Sequence, residues 1–421
     1  MKYSIIDALR VKPFAYLMSA ELFTQLGANI FNFYLILVVF SLTSSNIAVA
    51  GIVLSFTIPA ILFGVPAGVY VDRWEKKRVL FLSNFIRAFL LIFLAFFHQN
   101  LLIIFVISFL IAVLTQFFIP AESPIIPLIV PQKLLLSANA LFGLGIYGSM
   151  LIAFILSGPI IILFGQVKTL LLLACMFFAS CFFLWLMMVP TRTSKNHKGV
   201  GKVTKAMVEE IRDVVRLLSN TKEVHHSLFL LALSQVLILL IASLAPGYAT
   251  SVLKVTVESF PILFIAPAAC GVFIGAISVS LLQKVKRDKI ITIGLFLSGA
   301  AMLILPYGSR IAAKDVIITI NQYLPLFLNV TIHHIVTLLA FLLGFSNAFV
   351  FVPSNTILQE KTSDEVRGKV YGVLNTIVGI FSLLPLIIAG WLSDVLGVAA
   401  VIVGIGITLL GLGIFRVIFK V

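Results

Sequence analysis

Glu21, Gln25, Asn29 and Asn32 follow one another at spacings of four, four and three residues inside an otherwise apolar run. In a helix that spacing puts all four on one face. One carboxylic acid and three carboxamides together can hold a proton and exchange hydrogen bonds with a small molecule. Such a stripe cannot face lipid, so it faces a bundle interior or a water-filled cavity. Glu21 is expected to be a protonatable group, with Gln25, Asn29 and Asn32 lining the cavity. The alternative for Glu21 is a purely structural acid, neutral and hydrogen-bonded to a neighbouring helix. A second acid, Glu122, follows Pro120, which frees a backbone carbonyl and kinks its helix. Glu122 either joins Glu21 in handling protons at the cavity mouth or pairs with a cytoplasmic cation. Arg87 is expected to snorkel to the inner interface. Asp394, Glu360 and Glu365 fall at loop ends and read as interface charges.

The elements that hold these groups are set by composition. The chain of 421 residues is 61% hydrophobic and 11% charged. No soluble domain covers that much apolar side chain with so few charges. Windows of about 20 apolar residues, the length that crosses a hydrocarbon core, recur from end to end. The expected class is an all-α membrane protein. A net charge of +14 suggests nucleic acid in a soluble protein, but its placement here points elsewhere. All Lys and Arg except Lys168, Lys254, Arg310, Lys314 and Arg87 fall on one side of the spans. By the positive-inside rule both termini are cytoplasmic, in a cell membrane. The three cysteines fall inside apolar runs, so neither a disulfide framework nor a thiolate metal site is expected. The first apolar run is too long for a cleavable signal peptide and lacks a small-residue cleavage pattern.

Twelve spans are read at about 13–41, 46–71, 79–98, 100–126, 136–164, 168–190, 226–250, 260–283, 290–306, 334–356, 369–393 and 397–416. A polar, basic break separates a six-helix half at 1–190 from another at 226–421. Within the linker 191–225, Met207, Ile211, Val214, Val215 and Leu218 share one helical face. The halves are related. Gly64 and Gly68 recur as Gly271 and Gly275, and Pro120 with Glu122 recurs as Pro353 with Asn355. Gly158 and Gly165 recur as Gly390 and Gly397. One insertion, in the outer connection Tyr307 to His333, accounts for the change of register between these pairs. Two related halves with a site near the midplane is a transporter architecture.

Between the second and third spans stands Gly68-Val-Tyr-Val-Asp72-Arg73-Trp-Glu-Lys76-Lys77-Arg78. This order resembles the major facilitator superfamily signature G-x-x-x-D-R-x-G-R/K-R/K, with Glu75 in place of the second glycine. Gly64 and Gly68 also offer a small-xxx-small face for close helix approach. The resemblance implies a twelve-helix major facilitator fold. It further implies that Asp72 engages the start of the eleventh helix near Arg367 and Gly368, closing the cytoplasmic side. The runs from Pro120 to Asn139 and from Pro353 to Val370 resemble bacterial macrolide-efflux-like exporters in the drug:proton antiporter branch. Gly143, Gly145, Gly148 and Gly158-Pro159 partly resemble an antiporter motif of the fifth helix.

The function so implied is proton-coupled efflux of amphipathic or hydrophobic small molecules by alternating access. A lysophospholipid translocator with lateral access is the nearest alternative, and a non-transporting membrane sensor or scaffold is one from another class. Import is equally compatible with these residues. No Gly-x-x-x-x-Gly-Lys-Ser/Thr run is present, so ATP-driven transport by this chain alone is not expected, nor is enzyme activity. Neither a cofactor nor a metal is expected, since His225-His226 and His333-His334 lack partner ligands at usable spacing. Expected partners are a small-molecule or lipid-like substrate, protons and the bilayer, without nucleic acid. A monomer is expected.

Overall fold

The computed structural model describes residues 5–189, 222–282, 284–306, 331–361 and 364–419. Linker residues 191–221, the outer insertion and the side chains of Asp72, Arg367 and Gly368 lie outside the described residues. The expected amphipathic linker helix and the expected latch between Asp72 and the start of the eleventh helix fall on those residues.

Every regular element in the described residues is helical, as a bilayer demands, because a helix satisfies its own backbone polar groups. The first four are α1 (Lys12–Thr43), α2 (Asn46–Arg73), α3 (Lys76–Phe96) and α4 (Leu101–Glu122). A continuous 52-residue run, Leu135–Leu186, follows. At about 1.5 Å per residue it is far too long for one crossing of a core about 30 Å thick. It breaks at Gly165, where φ is 71°, into α5 (135–164) and α6 (166–186). Then come α7 (Lys222–Gly247), α8 (Ala266–Leu281), α9 (Arg287–Ile304), α10 (Ile332–Lys361), α11 (Asp364–Leu396) and α12 (Val398–Phe419). The described residues thus hold twelve long helices, and ten stretches among them, the 137–186 run counted once, are long and apolar enough to cross a membrane.

The chain forms two compact units, one of Met1–Leu42 with Ile52–Arg212 and the other of Thr43–Gly51 with Asp213–Val421. In the first, Phe14, Leu17, Leu80, Phe118, Ile125, Ala138 and Leu184 form one buried cluster. Its helices are also joined by hydroxyl pairs, Thr24 with Ser180 at 2.9 Å and Ser55 with Ser108 at 2.7 Å. Such bonds are effective inside a bilayer, where helices gain little from hydrophobic burial against one another. The second unit has a smaller cluster around Val224, Leu228, Leu231 and Leu358, and a Ser298–Ser346 bond at 2.7 Å.

The glycines expected to be equivalent do equivalent work in one case and not in another. Gly165 and Gly397 both have positive φ, 71° and 87°, and each separates the last two helices of its half. Only a residue without Cβ takes that turn at no steric cost. Gly271, Gly275 and Gly344 let α8 and α10 touch backbone to backbone: a methyl group on Gly344 would collide with the Ala268 carbonyl oxygen. The close approach expected at Gly64 and Gly68 is absent among the described residues. A Cβ on Gly68 would meet nothing within 4 Å, and one on Gly64 only Gln116 Oε1 at 3.8 Å.

Candidate functional site

The site is built on α1, α2 and α4 of the first unit. Gln25, Asn29, Asn32, Ala28, Phe31 and Leu35 of α1 line a cavity of about 190 Å³, closed by Phe56 of α2 and by Ser108, Ile111, Ala112, Thr115 and Gln116 of α4. The three carboxamides expected from their spacing thus face one cavity. Glu21 lies one turn further along α1 and is only 1% exposed. Gln25 Nε2 donates to its Oε1 at 2.7 Å, and Asn29 Nδ2 donates to the Gln25 carbonyl oxygen at 2.8 Å. A hydrogen-bonded ladder therefore runs along α1 from the cavity to a buried acid.

Arg87 corrects the sequence reading. It does not snorkel to an interface: it is 1% exposed, the largest of the fully buried side chains in the described residues. Its Nη1 donates to Asn84 Oδ1 at 2.8 Å and its Nη2 to Thr115 Oγ1 at 2.9 Å. Asn84 Nδ2 in turn donates to Thr24 Oγ1 at 2.7 Å, one turn beyond Glu21. The guanidinium lies over the Phe118 ring, 4.9 Å from its centroid, and 5.7 Å from that of Phe177. Glu122, four residues beyond Phe118, is 4% exposed. Arg87, Glu21 and Glu122 lie within electrostatic range of one another. Glu122 Oε1 and Arg87 Nε have no hydrogen-bond partner among the described residues. With both carboxyls ionised the trio carries −1, and one proton makes it neutral. The neutral state is the one an apolar bundle accommodates at lowest cost. The spacing of residues along α1 could not reveal Arg87, because its relation to Glu21 is made between helices. A buried cation amid apolar residues was the available signal.

A family model described as Major Facilitator Superfamily matches residues 17–384. The chain belongs to the Major Facilitator Superfamily. A relative in Bacillus subtilis (strain 168), the MFS-type transporter YkuC, is 30% identical over 172 residues, covering 37% of this chain and 40% of the relative. The match thus spans well under two thirds of that curated protein. Among solved structures, the nucleoside transporter NupG aligns over 96% of this chain and 99% of its own, with TM-score 0.72 and 12% identity. An inward-facing bacterial homologue of the human lysosomal transporter Spinster aligns over 96% and 95%, with TM-score 0.73 and 14% identity. The POT family transporter PepTSo aligns over 97% of each chain, with TM-score 0.69 and 14% identity. At these identities the likeness establishes the fold.

The second unit of this facilitator holds polar clusters that the sequence reading missed. Arg416, counted among the cations on the inner side, is buried beside His226 Nε2 and donates to Asp288 Oδ1 at 3.3 Å. Asp394, expected as an ordinary interface charge, caps the start of α2. It accepts from Ser45 Oγ at 2.6 Å, Asn46 N at 2.7 Å, Asn46 Nδ2 at 2.8 Å and Ile47 N at 3.1 Å. Glu360 forms a two-bond pair with Arg287 at 2.6 and 2.8 Å, both side chains substantially exposed. Pairs of that kind contribute little. Of the motif residues, Arg73 ends α2 and Lys76 begins α3, while Lys77 Nζ donates to the Trp185 carbonyl oxygen at 3.1 Å.

Proposed function

We propose that this facilitator is a secondary active transporter that exports amphipathic or hydrophobic small molecules in exchange for protons, by alternating access of its two halves. The observation that carries the reading is the ladder joining a cavity to a buried acid: Gln25 lines the cavity and donates to Glu21, itself grouped with Arg87 and Glu122. A molecule that repositions Gln25 changes the hydrogen bonding of Glu21, and a proton on Glu21 changes the amide that the molecule meets. Binding and protonation are linked in both directions by the same contact. The sequence resemblance to macrolide-efflux-like exporters supports efflux. The one-sided Lys and Arg distribution supports a cell-membrane location with cytoplasmic termini.

The test is flux in proteoliposomes with an imposed pH gradient, using labelled lipophilic drugs. Glu21→Gln keeps the shape of the side chain but cannot cycle a proton. It is expected to abolish gradient-driven flux while leaving substrate counterflow largely intact. Undiminished gradient-driven flux in that variant would remove Glu21 from the mechanism.

A further inference from the structure

The cavity's chemistry defines what it can hold. Among the described residues its lining contains no charged side chain: four carboxamides (Gln25, Asn29, Asn32, Gln116) and two hydroxyls (Ser108, Thr115) alternate with Phe31, Phe56, Leu35 and Ile111. Both hydroxyls are engaged, Ser108 with Ser55 and Thr115 with Arg87 and the Ile111 carbonyl oxygen. Gln25 is engaged with Glu21. Asn32 of α1 and Gln116 of α4, by contrast, make no hydrogen bond with any described residue. Each therefore presents an N–H donor and a carbonyl acceptor to the same space.

We infer that the cavity takes an uncharged head group that both donates and accepts hydrogen bonds, such as a carboxamide, lactam or urea, carried on an aromatic or aliphatic body. This rests on the transport reading above for its biological sense, but not for its chemistry. Donor and acceptor on one neutral group would satisfy Asn32 and Gln116 together, while Phe31 and Phe56 receive the apolar part. A quaternary ammonium or a carboxylate would find no counter-charge in the lining, and desolvating an unpaired ion is costly. With one proton on the acids Glu21, Glu122 and Arg87 are together neutral, so behind the lining they offer an ion no net counter-charge. At about 190 Å³ the space is below the roughly 300–1,000 Å³ of drug-sized pockets. It holds the head of a molecule and a short part of its body.

The experiment is equilibrium binding to the full-length protein in nanodiscs, without any gradient, by isothermal titration calorimetry. The probes share one ring system: 2-naphthamide, 2-naphthoate and (2-naphthylmethyl)trimethylammonium. The amide is expected to bind at least about tenfold more tightly than either ion. The double variant Asn32→Leu/Gln116→Leu is expected to weaken amide binding by about tenfold or more, the effect of losing one to two hydrogen bonds. A thermal unfolding midpoint near the wild-type value shows that the variant is folded. If that variant is unstable, the single variants Asn32→Leu and Gln116→Leu, each expected to weaken amide binding severalfold, take its place. Equal or tighter binding of an ion, no binding of the amide, or amide binding unchanged in the folded variant would each overturn the inference. A chain that binds the amide but moves nothing under a pH gradient would overturn the transport reading alone. One that moves only ionic probes would overturn this inference alone.

Discussion

Arg87 Nη2 donates a 2.9 Å hydrogen bond to Thr115 Oγ1, joining α3 to α4. Thr115 also lines the amide-rich cavity, so the same hydroxyl faces the cavity and holds the cation that balances Glu21 and Glu122. The cavity and the charge cluster therefore share a side chain on α4, in addition to the Gln25–Glu21 bond on α1. A change at either wall of the cavity has a direct route to the acids.

Thr115→Val keeps the side-chain shape but removes the acceptor. Arg87 Nη2 is then a buried donor without a partner, at a cost of about 1–3 kcal/mol. The unfolding midpoint of the purified protein should fall accordingly. The pH dependence of substrate binding should also flatten, which a loss of stability alone would not produce.

Removing the cation itself should be more damaging. Arg87→Met takes the nearby positive charge away from Glu21 and Glu122 and leaves Asn84 Oδ1 and Thr115 Oγ1 without their donor, so the thermal unfolding midpoint should fall by more than in Thr115→Val. Adding Glu122→Gln to that variant removes one of the stranded acids and should restore part of the loss. A double variant no more stable than Arg87→Met would show that Glu122 is not electrostatically coupled to Arg87.

The glycines give a paired comparison. Gly344→Ala puts a methyl group against the Ala268 carbonyl oxygen, so α8 and α10 must separate. Overpacking of this kind costs about 1–3 kcal/mol. Gly68→Ala meets nothing within 4 Å, and Ala favours a helix by up to about 1 kcal/mol over Gly. Its stability should be unchanged or slightly raised. Thermal unfolding of the two variants in one detergent checks both signs.

Asp394→Ala removes four acceptor contacts from the first turn of α2. Loss of a helix N-cap costs about 0.5–2 kcal/mol, and the lost carboxylate also gives up its favourable interaction with the helix dipole. Hydrogen exchange at the amides of Asn46 and Ile47 should accelerate in Asp394→Ala. Exchange at the middle of α2 should not change.

The features legible from sequence are those fixed by local periodicity and by the thickness of a bilayer. Apolar runs of spanning length gave the twelve helices, since a helix rises by the same increment whatever its neighbours. The recurrence of Gly158 and Gly165 as Gly390 and Gly397 pointed to two related halves, and Gly165 and Gly397 indeed share a positive φ that sterics reserve for glycine. The spacing from Gln25 to Asn32 fixed a common face within α1, and that face lines a cavity. What depends on which helix faces which was not legible. Arg87 looked like a cation bound for the interface, because nothing in α3 reveals that Asn84 and Arg87 are turned toward Thr24 and Thr115. Gly64 and Gly68 carry the same spacing as Gly271 and Gly275, yet only the latter pair, with Gly344, meets another backbone closely. Asp394 caps a helix start 348 residues earlier in the chain. Local propensity is written in each segment, whereas a contact between segments is chosen by the packing of the whole unit, and that choice placed the cation, the close glycines and the cap.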